Sequence, residues 1–272
     1  MALLALGGAR GRSWTTGLAG WQAASGQLLG ARQEQQDACG LCPAGRGLLA
    51  AVADGMGGMA QGGVAAALAL ETIRRAAAEL TGADATFEAL RALLETANRA
   101  VYQGVGRGGI PGLSGTTLCA VVVEENRARV FWCGDSRVYL GRGGRLYALT
   151  DDHIYARYLT QMVREGVITE EQAQANPRRS HLTGYLGMRA LEDYSITTGP
   201  MTLEEGDRLL LCTDGLYRGL GEGGLNDCLW APPRRAVGRM LAELTRRRLP
   251  GQDNATALVL QWGEAKKRGM DT

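Results

Sequence analysis

Four aspartates stand where apolar, strand-like runs stop. Asp54 ends "LLAAVAD", Asp135 ends "VFWCGD", Asp214 ends "RLLLCTD", and Asp253 precedes "NATALVLQW". Each has glycine, serine or asparagine beside it, residues that permit tight turns and close approach of backbone to a ligand. Taken singly, each reads as an ordinary turn aspartate. Taken together, carboxylates converging from strand ends of one sheet would repel strongly unless cations lay between them. The stretch "AVADGMGGMAQGG", Ala51 to Gly63, holds both alternatives: a tight turn, or a carboxylate and bare backbone that hold an ion. With only two histidines, His153 and His181, any catalytic metal must rely mainly on oxygen ligands, which favours magnesium or manganese over zinc.

The elements that must position these residues follow from periodicity. "GGVAAALALETIRRAAAEL" and "DATFEALRALLETANRAVYQGV" carry apolar residues at helical spacing, with a break over Thr81 to Ala85 and Asp84 as candidate cap. "TTLCAVVVEENRARVFWCGDSRVYLGRGGRLYAL" reads as successive strands of a meander, with hairpin turns at "EEN" and "GRGG". Residues 150–187 lose the strand pattern and become polar, with short helices over "ARYLTQMVREG" and "TEEQAQA", as an insertion over the sheet would. Strand character returns at "DYSITTG" and "DRLLLCT"; a helix is expected over "RRAVGRMLAELTRRR" and a last strand over "ATALVLQW". Strands in blocks rather than alternating with helices indicate a layered α+β domain, not a βαβ nucleotide fold. "GVGRGG" at 104–109 follows a helix instead of a strand, so it reads as a loop and not as a dinucleotide site.

The 272 residues suffice for one substantial core, and a formal charge of +2, from 30 basic and 28 acidic residues, leaves no footprint for nucleic acid or a membrane surface. "MALLAL" is too short for a signal core and no apolar run spans a bilayer, so a soluble, cytoplasmic monomer is expected. The cysteines at 39, 42, 119, 133, 212 and 228 sit mostly in apolar strands and read as buried thiols; "CGLC" at 39–42 reads as an unmetallated loop.

Seven short motifs, "RQEQQD" (32–37), "DGMGG" (54–58), "SGTT" (114–117), "GDSR" (134–137), "LTDDH" (149–153), "TDGL" (213–216) and "GQDNAT" (251–256), resemble in order and spacing those of the metal-dependent protein phosphatases, also called protein phosphatase 2C, most closely their compact bacterial members. Each is weak alone; seven in order are specific. The resemblance implies a four-layer α-β-β-α sandwich of two antiparallel sheets flanked by helix pairs. It implies a phosphatase domain over 21–263, with 150–187 as its flap, between an extension over 1–20 and a polar tail over 264–272. It further implies two Mn2+ or Mg2+ ions that activate a shared water for in-line attack on phosphoserine or phosphothreonine in proteins, opposing a serine/threonine kinase. Carried over by position, Asp54 bridges both ions, the Gly55 carbonyl completes one, Asp214 and Asp253 hold the other, and Asp37 orients metal-bound water. Asp135, with Asp214, corresponds to a third-ion site, and Arg32 to the phosphate-contacting arginine, whose planar fork suits phosphate.

Several positions depart from the pattern. Met56 stands where many relatives keep a histidine proposed to protonate the leaving alcohol, and methionine cannot donate that proton. His153, at the flap edge, is a possible substitute, although a residue shaping the flap base is the plainer reading. Gln35 and Gln36 replace polar or acidic residues of the first motif, and Arg218 stands where animal relatives carry another acid. Ser114, Thr116 and Thr117 lack a nearby base and read as hydroxyls at the start of a strand; Arg178 and Arg179 read as a solvated basic pair. A regulatory module on the same fold and a phosphatase for small phosphate esters are the alternatives in function.

Overall fold

The computed structural model describes residues 12–15, 20–57, 61–104 and 114–263. The expectations for Gly58, the "VGRGG" loop and the 264–272 tail, and most of the 1–20 extension, lie outside them.

Numbered along the chain, the strands are β1 (Arg12–Thr15), β2 (Trp21–Leu28), β3 (Asp37–Ala44), β4 (Gly47–Met56), β5 (Gly115–Thr116), β6 (Leu118–Glu124), β7 (Arg127–Cys133), β8 (Arg137–Arg142), β9 (Arg145–Ala148), β10 (Ser195–Ile196), β11 (Met201–Thr202), β12 (Arg208–Cys212) and β13 (Ala255–Trp262). The helices are α1 (Gln61–Ala77), α2 (Phe87–Gly104), α3 (Ala156–Arg164), α4 (Glu170–Gln174), α5 (Asp214–Leu229) and α6 (Pro233–Arg247). One sheet runs β1-β2-β13-β12-β8-β9; the other runs β10-β7-β6-β4-β3, with β5 added to β4 and β11 to β7. Every pairing between these strands is antiparallel.

Two-residue periodicity builds the layers. On β6, Cys119, Val121 and Val123 join the core between the sheets, while Leu118, Ala120 and Val122 face α1 and α2. On β12, Leu209 and Leu211 point into the same inter-sheet core, and Leu210 and Cys212 pack under α5 and α6. Each such buried aliphatic side chain contributes roughly 1.5–3 kcal/mol. The result is the expected four-layer α-β-β-α sandwich. Among the described residues no helix is long and apolar enough to cross a membrane.

The meander expectation fails at its middle. β7 ends in one sheet and β8 begins in the other, so "GDS" is a crossover and not a turn within one sheet. Asp135 therefore sits where the chain passes between sheets, and the four aspartates converge from both sheets instead of one. The candidate cap also moves: the Thr86 hydroxyl accepts the Ala89 N–H at 3.1 Å at the start of α2, while Asp84 is taken by a two-pronged pair with Arg127. "CGLC" is not a loop but part of β3, where Cys39 and Cys42, three apart, face opposite cores. Helix α5 was not expected from "DGLYRGLGEGGLNDCL", whose glycines each cost about 1 kcal/mol in a helix. It forms because Leu216, Leu220, Leu225 and Leu229 bury against the first sheet, and it bends at Gly221, where φ is 66°. β1, inside the expected N-terminal extension, adds an edge strand to β2.

Candidate metal centre

Strand pairing brings the first two carboxylates together. β3 and β4 pair with Asp37 opposite Asp54, so both side chains leave the sheet at the same end. The Asp54 backbone is clamped by the next segment: its N–H donates to Thr117 Oγ1 at 3.0 Å, and its carbonyl accepts from Thr117 N–H and Thr116 Oγ1, each at 2.9 Å. The hydroxyls of "SGTT" thus hold the aspartate in place. Gly55 follows with its N–H on the Gln36 carbonyl, and an added Cβ would lie 2.0 Å from the Gly62 carbonyl oxygen and 2.6 Å from that of Gln36. Only glycine lets β4, the 32–37 loop and α1 meet this closely. At Gly57, with φ at 148°, an added Cβ would meet Ser114 at 2.7 Å, consistent with glycine where the chain leaves the strand.

Asp37 is buried, and its Oδ2 accepts from the hydroxyls of Thr213 at 2.8 Å and Thr256 at 2.7 Å. These threonines sit at the end of β12 and the start of β13, tied together by Thr256 N–H donating to Thr213 Oγ1 at 2.9 Å. Asp37 Oδ1 and Asp214 Oδ1 are buried without a protein partner. A buried acceptor left alone costs about 1–3 kcal/mol, more when charged, so these two oxygens call for a partner that the protein does not supply.

The remaining groups close a pocket of about 360 Å³ lined by Arg32, Asp54, Gly55, Asp135, Asp214 and Asp253, with Met56, Ser180 and Leu182 at its sides. Arg32 Nη2 pairs with Asp253 Oδ2 at 2.7 Å, while Asp253 Oδ1 accepts the Asn254 N–H. Arg218, one turn along α5 from Asp214, reaches Asp214 at 3.0 Å and Asp135 at 2.9 Å. No three acidic, histidine or cysteine side chains among the described residues gather into a metal-ligating group. Holding an ion at Asp253 means exchanging Arg32 for it. That exchange is cheap, because Arg32 is 58% exposed and such pairs are worth about 0.2–1 kcal/mol.

Electrostatics point the same way. Burial pushes the Asp37 carboxyl up to about 7, helped by the charges of Asp214 and Asp253 and opposed by the two threonine hydroxyls. Asp54 is raised well above the ordinary range by burial and then by Asp37, Asp214 and Asp135, and Asp135 is raised to about 6 by burial and Asp214. Buried carboxylates that raise one another are short of positive charge, and an all-oxygen donor set fits Mg2+ or Mn2+. A broader groove of about 800 Å³ opens beside α3, but Arg137 is paired with Asp152 and Arg157 with Asp193 at its wall.

The flap residues divide. His153 does not line the pocket; it is buried, stacked on Trp132, accepts the Gly134 N–H on Nδ1 and donates from Nε2 to Ser195 Oγ at 3.0 Å. Burial pushes its pKa down to about 4. Arg178 is exposed and Arg179 half-buried. Three positioning residues escaped the sequence reading: Thr213, Thr256 and Asn254. Asn254 Oδ1 accepts the Gln36 N–H at 2.8 Å and its Nδ2 donates to the Leu29 carbonyl at 2.9 Å, bolting the Arg32 loop to β13. Their one signal is a polar residue within three of an aspartate at a strand end, and for threonine that signal is hidden by its ordinary strand preference.

Comparison with known proteins agrees with this geometry. The chain is 36% identical over 216 residues to the serine/threonine protein phosphatase PstP of Mycobacterium tuberculosis, covering 78% of this chain and 40% of that one, so it spans about two fifths of that relative's length. The Mycobacterium smegmatis Ser-Thr phosphatase MsPP, solved with cacodylate, superposes with a TM-score of 0.70 at 35% identity, covering 89% of this chain and 98% of that one. The PstP catalytic domain, solved with two manganese ions, gives 0.67 at 29% identity over 90% of this chain and 99% of that one. The protein phosphatase 2C model matches residues 29–249, most of the chain and every residue lining the pocket except Asp253 and Asn254, and on that match the chain belongs to the protein phosphatase 2C family.

Proposed function

We propose that this chain is a divalent-metal-dependent phosphatase that hydrolyses phosphoserine and phosphothreonine in proteins, among them targets of a serine/threonine kinase. The observation that carries the reading is the convergence of Asp54, Asp135, Asp214 and Asp253 on one pocket with an arginine at its rim, together with buried oxygens that no protein group satisfies on Asp214 and on Asp37, which stands opposite Asp54 across the strand pair. Asp54 would be shared by two Mn2+ or Mg2+ ions with the Gly55 carbonyl on one of them, and Asp214 and Asp253 would hold the other. When bound, the ions supply neutralisation of phosphoryl charge and activation of the attacking water.

The chain's own groups do the rest. Asp37, fixed by Thr213 and Thr256 beside Asp54, has its unpartnered Oδ1 left to orient metal-bound water. Arg32, exposed and held by a single carboxylate, turns its fork to the phosphate oxygens. Asn254 keeps the Arg32 loop in register with Asp253. Met56 lines the pocket but has no proton to give and His153 is turned away, so solvent is left to protonate the leaving alcohol. Ser180 and Leu182 of the flap lie where the peptide around the phosphate would pass.

The test is phosphate release from a phosphothreonine peptide and from p-nitrophenyl phosphate, with Mn2+ and with chelator. Wild type should act on the peptide only with metal, and Asp54→Asn should abolish that. Metal-saturated wild type no better than Asp54→Asn would sink the reading, and turnover of small esters alone would remove proteins as substrates.

A further inference from the structure

Asp135 and Asp214 come from different sheets, yet one guanidinium joins them: Arg218 Nη2 lies 2.9 Å from Asp135 Oδ2, and Nη1 lies 3.0 Å from Asp214 Oδ2. Both carboxylates are largely buried, with side chains 9% and 17% exposed. The contact is built into the fold, because Asp214 opens α5 and Arg218 stands four residues on, the spacing that places an acid and a base on one helix face. The guanidinium also lies 5.9 Å from the Tyr217 ring, over which Arg137 stands at 3.9 Å. The two arginines of the pocket are about equally exposed, 58% for Arg32 and 54% for Arg218, and differ in how many carboxylates hold them. Arg32 holds one carboxylate at the rim, whereas Arg218 spans two inner ones and leaves Asp214 Oδ1 buried without a protein partner.

We propose that Arg218 is a built-in cation occupying the Asp135–Asp214 notch, so that this centre takes two divalent ions and is closed to a third. A guanidinium held by two carboxylates supplies there the positive charge that an ion would otherwise bring, and Asp214 divides its oxygens between Arg218 and an ion. The inference rests on the two-ion reading of the pocket.

The measurement is Mn2+ stoichiometry by equilibrium dialysis and electron paramagnetic resonance, independent of turnover, with Mn2+ raised to the millimolar range. Wild type should bind two ions, Arg218→Asp should bind three, and Asp135→Asn on the Arg218→Asp background should return the count to two. Three ions in wild type, with one lost in Asp135→Asn, would overturn the proposal while leaving the phosphatase reading intact. Two ions in both wild type and Arg218→Asp would overturn it as well. No ion bound by wild type would instead remove the two-ion reading itself. Circular dichroism and thermal melting check that each variant is folded. Should Arg218→Asp fail to fold, Arg218→Met with a third ion supports the proposal and Arg218→Met with two overturns it.

Discussion

Replacing Thr256 by valine removes one hydroxyl from Asp37 with almost no change in shape. The hydroxyl donates to Asp37 Oδ2 at 2.7 Å, and Thr213 at 2.8 Å would remain. Gln27 Nε2 loses its 3.1 Å contact to Thr256 but keeps the Asp37 carbonyl at 3.0 Å, so no new donor is stranded. A hydrogen bond to a charged group is worth about 1.5–3 kcal/mol, which corresponds to raising the carboxyl by about 1–2 pH units. From a starting value of about 7, the ionised fraction at pH 7 falls from about one half to about a tenth or a hundredth. Because the ionised Asp37 carboxylate would accept from metal-bound water and add negative charge beside the ions, Mn2+ affinity at pH 7 should drop by up to about 5- to 50-fold in Thr256→Val. Titration calorimetry from pH 6 to 9 reads this directly. The sign is fixed by the direction of the shift: affinity rises with pH in both proteins, and the gap narrows as pH climbs past the variant's higher value. A gap that stays constant to pH 9, or no gap at pH 7, would refute the idea that Thr256 works through the ionisation of Asp37.

Arg32→Ala should lower kcat/KM for a phosphothreonine peptide by about 10²-fold or more, the scale for losing a charged contact to a developing oxyanion, without weakening Mn2+ binding, since it frees Asp253; weakened Mn2+ binding would place Arg32 in the metal site's support instead. Gly55→Ala pushes a methyl against two backbone carbonyl oxygens, so it should cost at least about 2 kcal/mol in denaturant unfolding and lose Mn2+ binding; a wild-type midpoint would contradict the packing described. His153, neutral in the folded protein and lowered to about 4, adds stability above about pH 6.5 that is lost as pH falls toward 4. The stability difference between wild type and His153→Gln should therefore shrink by about 3 kcal/mol over that window, and parallel pH profiles would contradict it.

The carboxylates were legible because each breaks an apolar strand and is followed or preceded by a residue made for turns, a local signal. The final helix and strand were legible for the same reason: "RRAVGRMLAELTRRR" and "ATALVLQW" state their periods plainly. What was hidden depends on contacts between distant segments. No property of "VFWCGDSRVYL" says that the chain changes sheets at Gly134 to Ser136, because hairpins and crossovers use the same turn residues. Helix α5 is stabilised by the sheet beneath its leucines and not by its glycine-rich sequence, so propensity argued against it. Arg218 could be marked as unusual, but its partners emerged only once α5 placed it one turn from Asp214 and beside the crossover carrying Asp135. Thr213 and Thr256 looked like strand formers and serve as donors to a carboxylate encoded about two hundred residues earlier.

Anomalous diffraction from a crystal soaked in Mn2+ would test the metal centre most directly. Peaks should fall inside the pocket, one between Asp54 and the Gly55 carbonyl and one among Asp54, Asp214 and Asp253, with Arg32 displaced from Asp253. Manganese bound elsewhere, or a pocket in which Arg32 still holds Asp253 at saturating Mn2+, would contradict the assignment of these carboxylates as its ligands.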